Sequence, residues 1–268
     1  MPQNARVKFL NDQTVTKGKP VVYCMQASVR TRCNHALEYA IHLANYRRQK
    51  LSVLFCLTPD YPGANLRHFW FLIEGLREVK KNLEKRNVPF TVWIGSPELL
   101  ARGLRGAVST IVTDRGYLRH QRQWRQTLAE EADCPVVQIE TNVVVPVETA
   151  STKEEYSAAT IRKKIQSHLD EQLRLPTVVP YERPGNTVGD TTDPAPGTPF
   201  GTVSLEELAA PWYVRRVFPV DERVTVSERF HGGEDHARSV LSDFLSQRLQ
   251  RYAEFRNVPN RDWLSNLS

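Results

Sequence analysis

The sequence is short of the residues and runs that mark the commonest enzyme and membrane classes. Its four cysteines, Cys24, Cys33, Cys56 and Cys134, contain no Cys-x-x-Cys pair. Three of them fall in or beside predicted strands, so they are expected to be buried, reduced thiols that act as small hydrophobes. The seven histidines, His35, His42, His68, His120, His168, His231 and His236, are dispersed, with no pair at the spacing of a helical zinc site. There is no Gly-x-Gly-x-x-Gly fingerprint, no Walker-type phosphate loop and no serine in a nucleophile elbow, so a conventional NAD, ATP or serine-hydrolase enzyme is disfavoured. No segment approaches the roughly 18 apolar residues needed to span a bilayer. Asn4, Arg6, Lys8 and Asp12 deny the N-terminus the apolar core of a signal peptide. A cytoplasmic protein without membrane contact is expected.

What is present suits a globular α/β protein. At 268 residues and 40% hydrophobic content, the chain can bury one substantial core and a smaller second one. A formal charge of +6 permits a polyanionic partner without requiring one, because the charges are spread along the chain.

The stretch from Lys19 to Leu57 organises the rest. Pro20-Val-Val-Tyr-Cys-Met-Gln26 and Leu51-Ser-Val-Leu-Phe-Cys-Leu57 are short β-branched or aromatic runs without a polar face, as strands buried on both sides of a parallel sheet require. Between them, in a run from Thr31 to about Arg48, Leu37, Ala40, Ile41 and Ala44 recur at helical spacing. One right-handed βαβ unit follows. The loop Thr58–Ala64 leads to a helix expected over Leu66–Arg86, with Leu72, Leu76, Val79 and Leu83 as its apolar row and Asn87 as its stop.

Pro89–Ile94 reads as a third strand. Ser96 caps, and Pro97 and Glu98 open, a short helix ending near Gly106. Val108–Asp114 is a fourth strand, Leu118–Ala132 a helix and Cys134–Glu140 a fifth strand. This alternation predicts a doubly wound, five-stranded parallel sheet. Ligands of such sheets sit where the strand order reverses, which for an order of 3-2-1-4-5 is beside the loops Ala27–Thr31 and Arg115–Leu118.

Beyond Asn142 the pattern changes. An extended piece, Asn142–Val147, is followed by a helical pattern over Lys153–Leu173. Proline and glycine then crowd residues 176–212, which read as a linker. The expected domains are a tail at 1–18, an α/β domain at 19–175, the linker at 176–212 and the start of a helical domain at 213–268. One clear helix is expected from about Glu234 to Arg256. Its apolar face of Val240, Leu241, Phe244, Leu245, Leu249, Tyr252 and Phe255 cannot be buried by a lone helix. It is therefore expected to stay exposed or to meet a missing C-terminal domain or another chain. Two polar clusters are candidates for phosphate contacts. One is Arg115, Arg119, Arg122 and Arg125 around Trp124, equally readable as a solvated helix face. The other is Ser265-Asn-Leu-Ser268, equally readable as a polar turn.

Several of these pieces, taken in order and spacing, resemble class II cyclobutane pyrimidine dimer photolyases of the photolyase and cryptochrome superfamily. They are Tyr23-Cys-Met-Gln26, Val53–Leu57, Leu66-Arg67, Val112-Thr-Asp114, Arg122-Gln-Trp124, Asn142–Pro146 and Glu155–Arg162. The series continues with Gly232-Gly-Glu234 through Tyr252, Arg256-Asn257, Pro259 and Ser265–Ser268. The resemblance implies a Rossmann-like N-terminal domain able to carry a deazaflavin-type or other antenna chromophore, a crossing linker and an all-helical FAD domain. It implies repair of UV-damaged DNA by light-driven electron transfer from reduced FAD to a pyrimidine dimer. Tyr252 matches the tyrosine beside the flavin, Ser265, Asn266, Leu267 and Ser268 match the start of the FAD phosphate-binding segment, and Arg256 matches a position facing the DNA backbone. Relatives continue past the position of Ser268 into most of the flavin domain. The chain alone is therefore expected to be a catalytically incomplete N-terminal portion that binds FAD weakly or not at all. The alternative is a stand-alone α/β module binding an antenna chromophore or nucleotide without repair activity.

Overall fold

The computed structural model describes residues 4–183, 201–208, 210, 212–214, 218, 221, 223–258 and 263–264. The chain divides into two compact units. One comprises residues 1–61 and 80–204, the other residues 62–79 and 205–268.

The first unit is built on a sheet of seven strands. Its five central strands run parallel in the order β4 (Phe90–Ile94), β3 (Leu51–Leu57), β2 (Val21–Met25), β5 (Thr110–Asp114) and β6 (Val136–Ile139). This is the 3-2-1-4-5 order for which the crevice falls between the first and fourth parallel strands. Every residue of β2, β3, β5 and β6 is buried, which explains their near-continuous apolar composition. Both edges are closed by short antiparallel strands that sequence reading did not show. β1 (Val7–Phe9), within the expected tail, pairs with β6, and β7 (Gly201–Val203), within the expected linker, pairs with β4. Three-residue strands are too short to carry an alternating pattern, and covering the edges removes unpaired backbone groups. Residues 184–200 of the expected linker lie outside the described residues. Its beginning is docked on the first unit: the Leu51 amide donates to the buried Tyr181 hydroxyl at 2.7 Å.

Helix α1 (His35–Arg47) buries Leu37, Ala40, Ile41 and Ala44 as its periodicity predicts, but starts four residues later than expected. The reason is Asn34, whose side chain accepts from the Leu37 amide at 3.0 Å and caps the helix. Helix α2 (Leu66–Glu84) stops short of Arg86, and Asn87 turns the chain with φ 55°. Its buried row is Phe69, Ile73, Leu76, Val79 and Leu83, so Ile73 replaces the predicted Leu72. The short helical stretch at Pro97–Gly103, which ends in α3 (Leu100–Gly103), forms, but Ser96 makes no backbone cap and its hydroxyl instead donates to Glu98 at 3.2 Å. Helix α4 (Arg119–Glu131) packs Leu128 and Ala129 into the core. The pattern over 153–173 yields two short helices, Ala158–Gln166 and Leu169–Gln172, rather than one. Cys24, Cys56 and Cys134 are buried, whereas Cys33 is exposed.

In the second unit, Phe69 of α2 stacks on Phe218 with ring centroids 4.8 Å apart. The predicted C-terminal helix is a helical run of mixed pitch. An α-helix at Glu234–Asp243 widens to a π-turn at Phe244–Arg248, tightens to a 3-10 turn at Leu249–Arg251 and finishes as an α-turn at Tyr252–Phe255. Of its apolar face Phe244 is buried, while Leu241, Leu245 and Leu249 are 39%, 52% and 48% exposed.

Candidate functional site

In doubly wound sheets the backbone amides just after the first strand normally cradle a ligand's phosphate. Here those amides are already taken. Asp114, at the carboxyl end of β5 and 2% exposed, accepts from the Gln26 amide at 3.0 Å and from the Ser28 amide at 2.6 Å. The Tyr23 hydroxyl donates to the same carboxylate at 3.3 Å. Burial pushes the Asp114 carboxyl up from its ordinary range, and the amides of Ser28, Gln26 and Ala27 pull it back. An internal carboxylate thus occupies the anion-binding turn and ties the two strands flanking the crevice together. The same burial and the neighbouring Asp114 push the Tyr23 phenol well up, so it remains a donor.

The loops on either side are braced with equal thoroughness. Arg30 donates to the Asn142 side chain at 3.0 Å and to the Thr141 carbonyl at 2.7 Å, while the Asn142 amide donates to the Ala27 carbonyl at 2.9 Å. Arg6, buried beside β1, donates to the carbonyls of Glu140, Val143 and Val144. The His35 backbone amide donates to Thr141 Oγ1 at 2.9 Å. Burial, with Arg6 and Arg30 nearby, pushes the His35 imidazole down to about 4, so it is neutral at physiological pH.

Among the described residues, the crevice holds a cavity of about 20 Å³ bounded by Gln26, Asp114, Gly116, Gln121, Trp124 and Arg125, among others. Ligand pockets are typically about 300–1,000 Å³. Gly116 leaves no space for a side chain, since a Cβ there would lie 2.4 Å from Gln121 Oε1. Beside it Tyr61, His120 and Trp124 form an edge-to-face aromatic cluster, with Tyr61 and His120 ring centroids 4.9 Å apart.

The arginine cluster resolves into two halves. Arg115 pairs with Glu140 and Glu148, and Arg125 donates to the Gln138 side chain, so both are internal. Arg119 and Arg122 face an open polar hollow along α4. The solvated-face reading therefore fits two of the four.

Of the residues expected to meet flavin and DNA, Tyr252 and Arg256 are described. Tyr252 is partly buried and edge-on to Phe244, ring centroids 5.5 Å apart. Arg256 follows one turn later, its amide donating to the Tyr252 carbonyl at 2.9 Å. Ser265, Asn266, Leu267 and Ser268 lie outside the described residues. Near Tyr252, Trp263 packs against Phe255 with ring centroids 5.4 Å apart, and the Arg251 guanidinium lies 4.2 Å from the Phe255 ring centroid. The structure brings Tyr252 and Arg256 onto one stretch of the run, with the exposed leucines of the same run next to them. Sequence reasoning missed Asp114 as the occupant of the anion turn; the signal available was a lone acidic residue closing an apolar strand.

A doubly wound α/β sheet and a helical segment on one chain are also the arrangement of solved photolyases. The fold superposes on a class III photolyase from Agrobacterium tumefaciens with a TM-score of 0.66 over 95% of this chain and 50% of that one, at 19% identity. It superposes on an archaeal photolyase from Sulfolobus tokodaii, solved with two FAD molecules, with a TM-score of 0.57 over 83% of this chain and 46% of that one, at 14% identity. The DNA photolyase family profile matches residues 21–184, and the chain belongs to that family. It is 41% identical over 267 residues to the deoxyribodipyrimidine photo-lyase of Methanothermobacter thermautotrophicus, covering 98% of this chain and 55% of the relative. The chain spans about half the length of the curated relatives it matches.

Proposed function

We propose that this chain serves a DNA-repair photolyase of the class II type, acting on cyclobutane pyrimidine dimers. In this reading it supplies the α/β domain, the linker and the first helix of the flavin domain. The observation that carries the reading is the 41% identity sustained over 98% of the chain to a deoxyribodipyrimidine photo-lyase. The assignment to class II rests on the ordered motifs, from Tyr23-Cys-Met-Gln26 to Gly232-Gly-Glu234 and Arg256-Asn257.

Tyr252 and Arg256 offer one flank of a flavin- and phosphate-binding surface. They do not enclose it, because tight cofactor sites bury most of the ligand and Leu241, Leu245 and Leu249 stand in solvent. The rest of the enclosure is assigned to a segment equivalent to the relatives' other half, in the same chain or as a partner, which would also cover these leucines. FAD, when bound there, would supply the light-driven electron. This chain's own residues pack Tyr252 beside the cofactor and hold Arg256 toward a DNA phosphate.

An antenna chromophore or nucleotide in the sheet crevice is the weaker reading. Its amides are spent on Asp114, and the cavity would have to grow by roughly fifteenfold or more to reach ordinary pocket size.

The test is a pair of measurements. The purified 268-residue chain, supplied with FAD, reductant and blue light, should leave dimer-containing oligonucleotides unrepaired. Joined in frame to the C-terminal half of the Methanothermobacter relative, it should bind flavin and repair them. A joined protein that folds but takes no flavin overturns the reading, as does repair by the chain alone.

A further inference from the structure

The helical run that carries Tyr252 and Arg256 is attached to α2 in an unusual way. Its first turn has no cap of its own: Gly233 holds the cap position with φ 115° and offers no side chain. The acceptors come instead from α2. Glu78 accepts from the Asp235 amide at 2.9 and 3.2 Å, and Glu74 accepts from the Gly232 amide at 2.7 Å. Glu74 is itself held by the Trp70 indole N–H at 3.1 Å and contacts His231 Nδ1 at 3.3 Å.

Glu74 and Glu78 are one helical turn apart, an arrangement that repels in an isolated helix. Each is answered here by a backbone amide at the positive end of the Glu234–Asp243 helix, which makes the two charges favourable. The approach is as close as a backbone allows. A Cβ on Gly232 would sit 1.9 Å from the Phe71 carbonyl oxygen, and one on Gly233 would sit 2.2 Å from Glu78 Oε2. Gly232 thus lies directly on the α2 backbone, where a side chain does not fit, and Gly233 lies against the Glu78 side chain with a φ that other residue types rarely adopt.

We propose that Glu74 and Glu78, acting through Gly232 and Gly233, are positioning residues that set the register of the flavin helix and hence the placement of Tyr252 and Arg256. The inference rests on the flavin reading above for its functional meaning and on α2 geometry for its substance. Two carboxylates one turn apart on α2, gripping the amides of Gly232 and Asp235, allow one axial position, whereas apolar packing alone tolerates sliding. With three leucines of the run exposed, packing supplies little of that constraint.

Spin labels at Arg77→Cys and Gln250→Cys in a Cys33→Ser background report the distance from α2 to the far end of the run. The parent 268-residue chain should give one narrow distribution. Glu74→Ala with Glu78→Ala should shift and broaden it. Amide exchange over Glu234–Asp243 should become about fivefold to tenfold faster, as for loss of a helix cap. Glu74→Gln with Glu78→Gln keeps the acceptors and should restore the narrow distribution, which a merely charge-based or general stability effect would not. Gly232→Ala should shift the distribution even with both carboxylates present. Unchanged amide exchange in β2–β6 verifies that the sheet unit remains folded in each variant. An unaltered distance distribution in the double alanine variant, or in Gly232→Ala, overturns the inference and leaves the flavin reading intact. A clamped run in a joined protein that takes no flavin overturns the flavin reading and leaves the clamp.

Discussion

The sheet crevice and the C-terminal helical run are both places where this fold class would meet a ligand, and they are finished to different degrees. In the crevice, Asp114, Arg6, Arg30 and Asn142 spend their hydrogen-bonding capacity on the chain's own backbone and side chains. In the helical run, two carboxylates hold one end, and the leucines beyond it face solvent. The contrast separates two ways of using a polar group. Internal pairing makes a scaffold that needs nothing further, whereas an unburied apolar face marks a surface completed by something else. The repair chemistry proposed for this family member is thus tied to the less finished region.

Breaking the finished region should cost most. Leu54→Ala, in the centre of β3, should destabilise the sheet unit by about 4 kcal/mol in urea unfolding through lost burial and a residual cavity. Asp114→Ala should cost about 3 kcal/mol by stranding the Gln26 and Ser28 amides. A loss below about 1 kcal/mol would mean those amides find other partners, and the crevice is less sealed than described. Arg6→Ala, which frees three carbonyls of the 140–144 segment, should cost about 2 kcal/mol and raise amide exchange there.

A smaller effect tests the electrostatics of the same region. The His35 imidazole titrates at about 4 in the folded chain against an ordinary 6.5, so the unfolded chain takes up the proton first. Stability should be level above pH 6.5 and fall as the pH drops from there towards 4. His35→Asn should remove about 1 kcal/mol of that fall, after discount for the partly exposed ring. The raised Asp114 carboxyl acts in the opposite sense, so the variant must be compared with its parent at each pH. The smallest effect belongs to the unfinished region. Leu245→Gln should change the stability of the chain by no more than about 0.5 kcal/mol. A loss comparable to Leu54→Ala would show that the helical run is already covered, and the comparison between the regions would fail.

Much of the framework was legible in advance. Runs such as Val21–Met25 and Leu51–Leu57 have one reading when buried on both faces, and alternation with helices leaves few strand orders. The row on α2 was read one residue off at Leu72 against Ile73, because both sit in an apolar stretch that helical spacing alone cannot arbitrate. Tyr252 and Arg256 were found through family resemblance, not through any local pattern that physics makes distinctive. The clamp was half visible: Gly232-Gly233 announces a break, but nothing near it in the chain names Glu74 and Glu78 as its partners.

The sequence alone determined the βα alternation, the five parallel strands and the buried face of α1, since these depend on hydrophobic periodicity that neighbours in the chain carry together. Only the tertiary structure decided that Asp114 fills the anion turn, that β1 and β7 close the sheet, and that carboxylates of α2 cap a helix from a distant part of the chain. Each of those is a single polar or backbone pairing between segments far apart in sequence. Such a pairing has no period to read and becomes visible only when the fold has brought its two ends together.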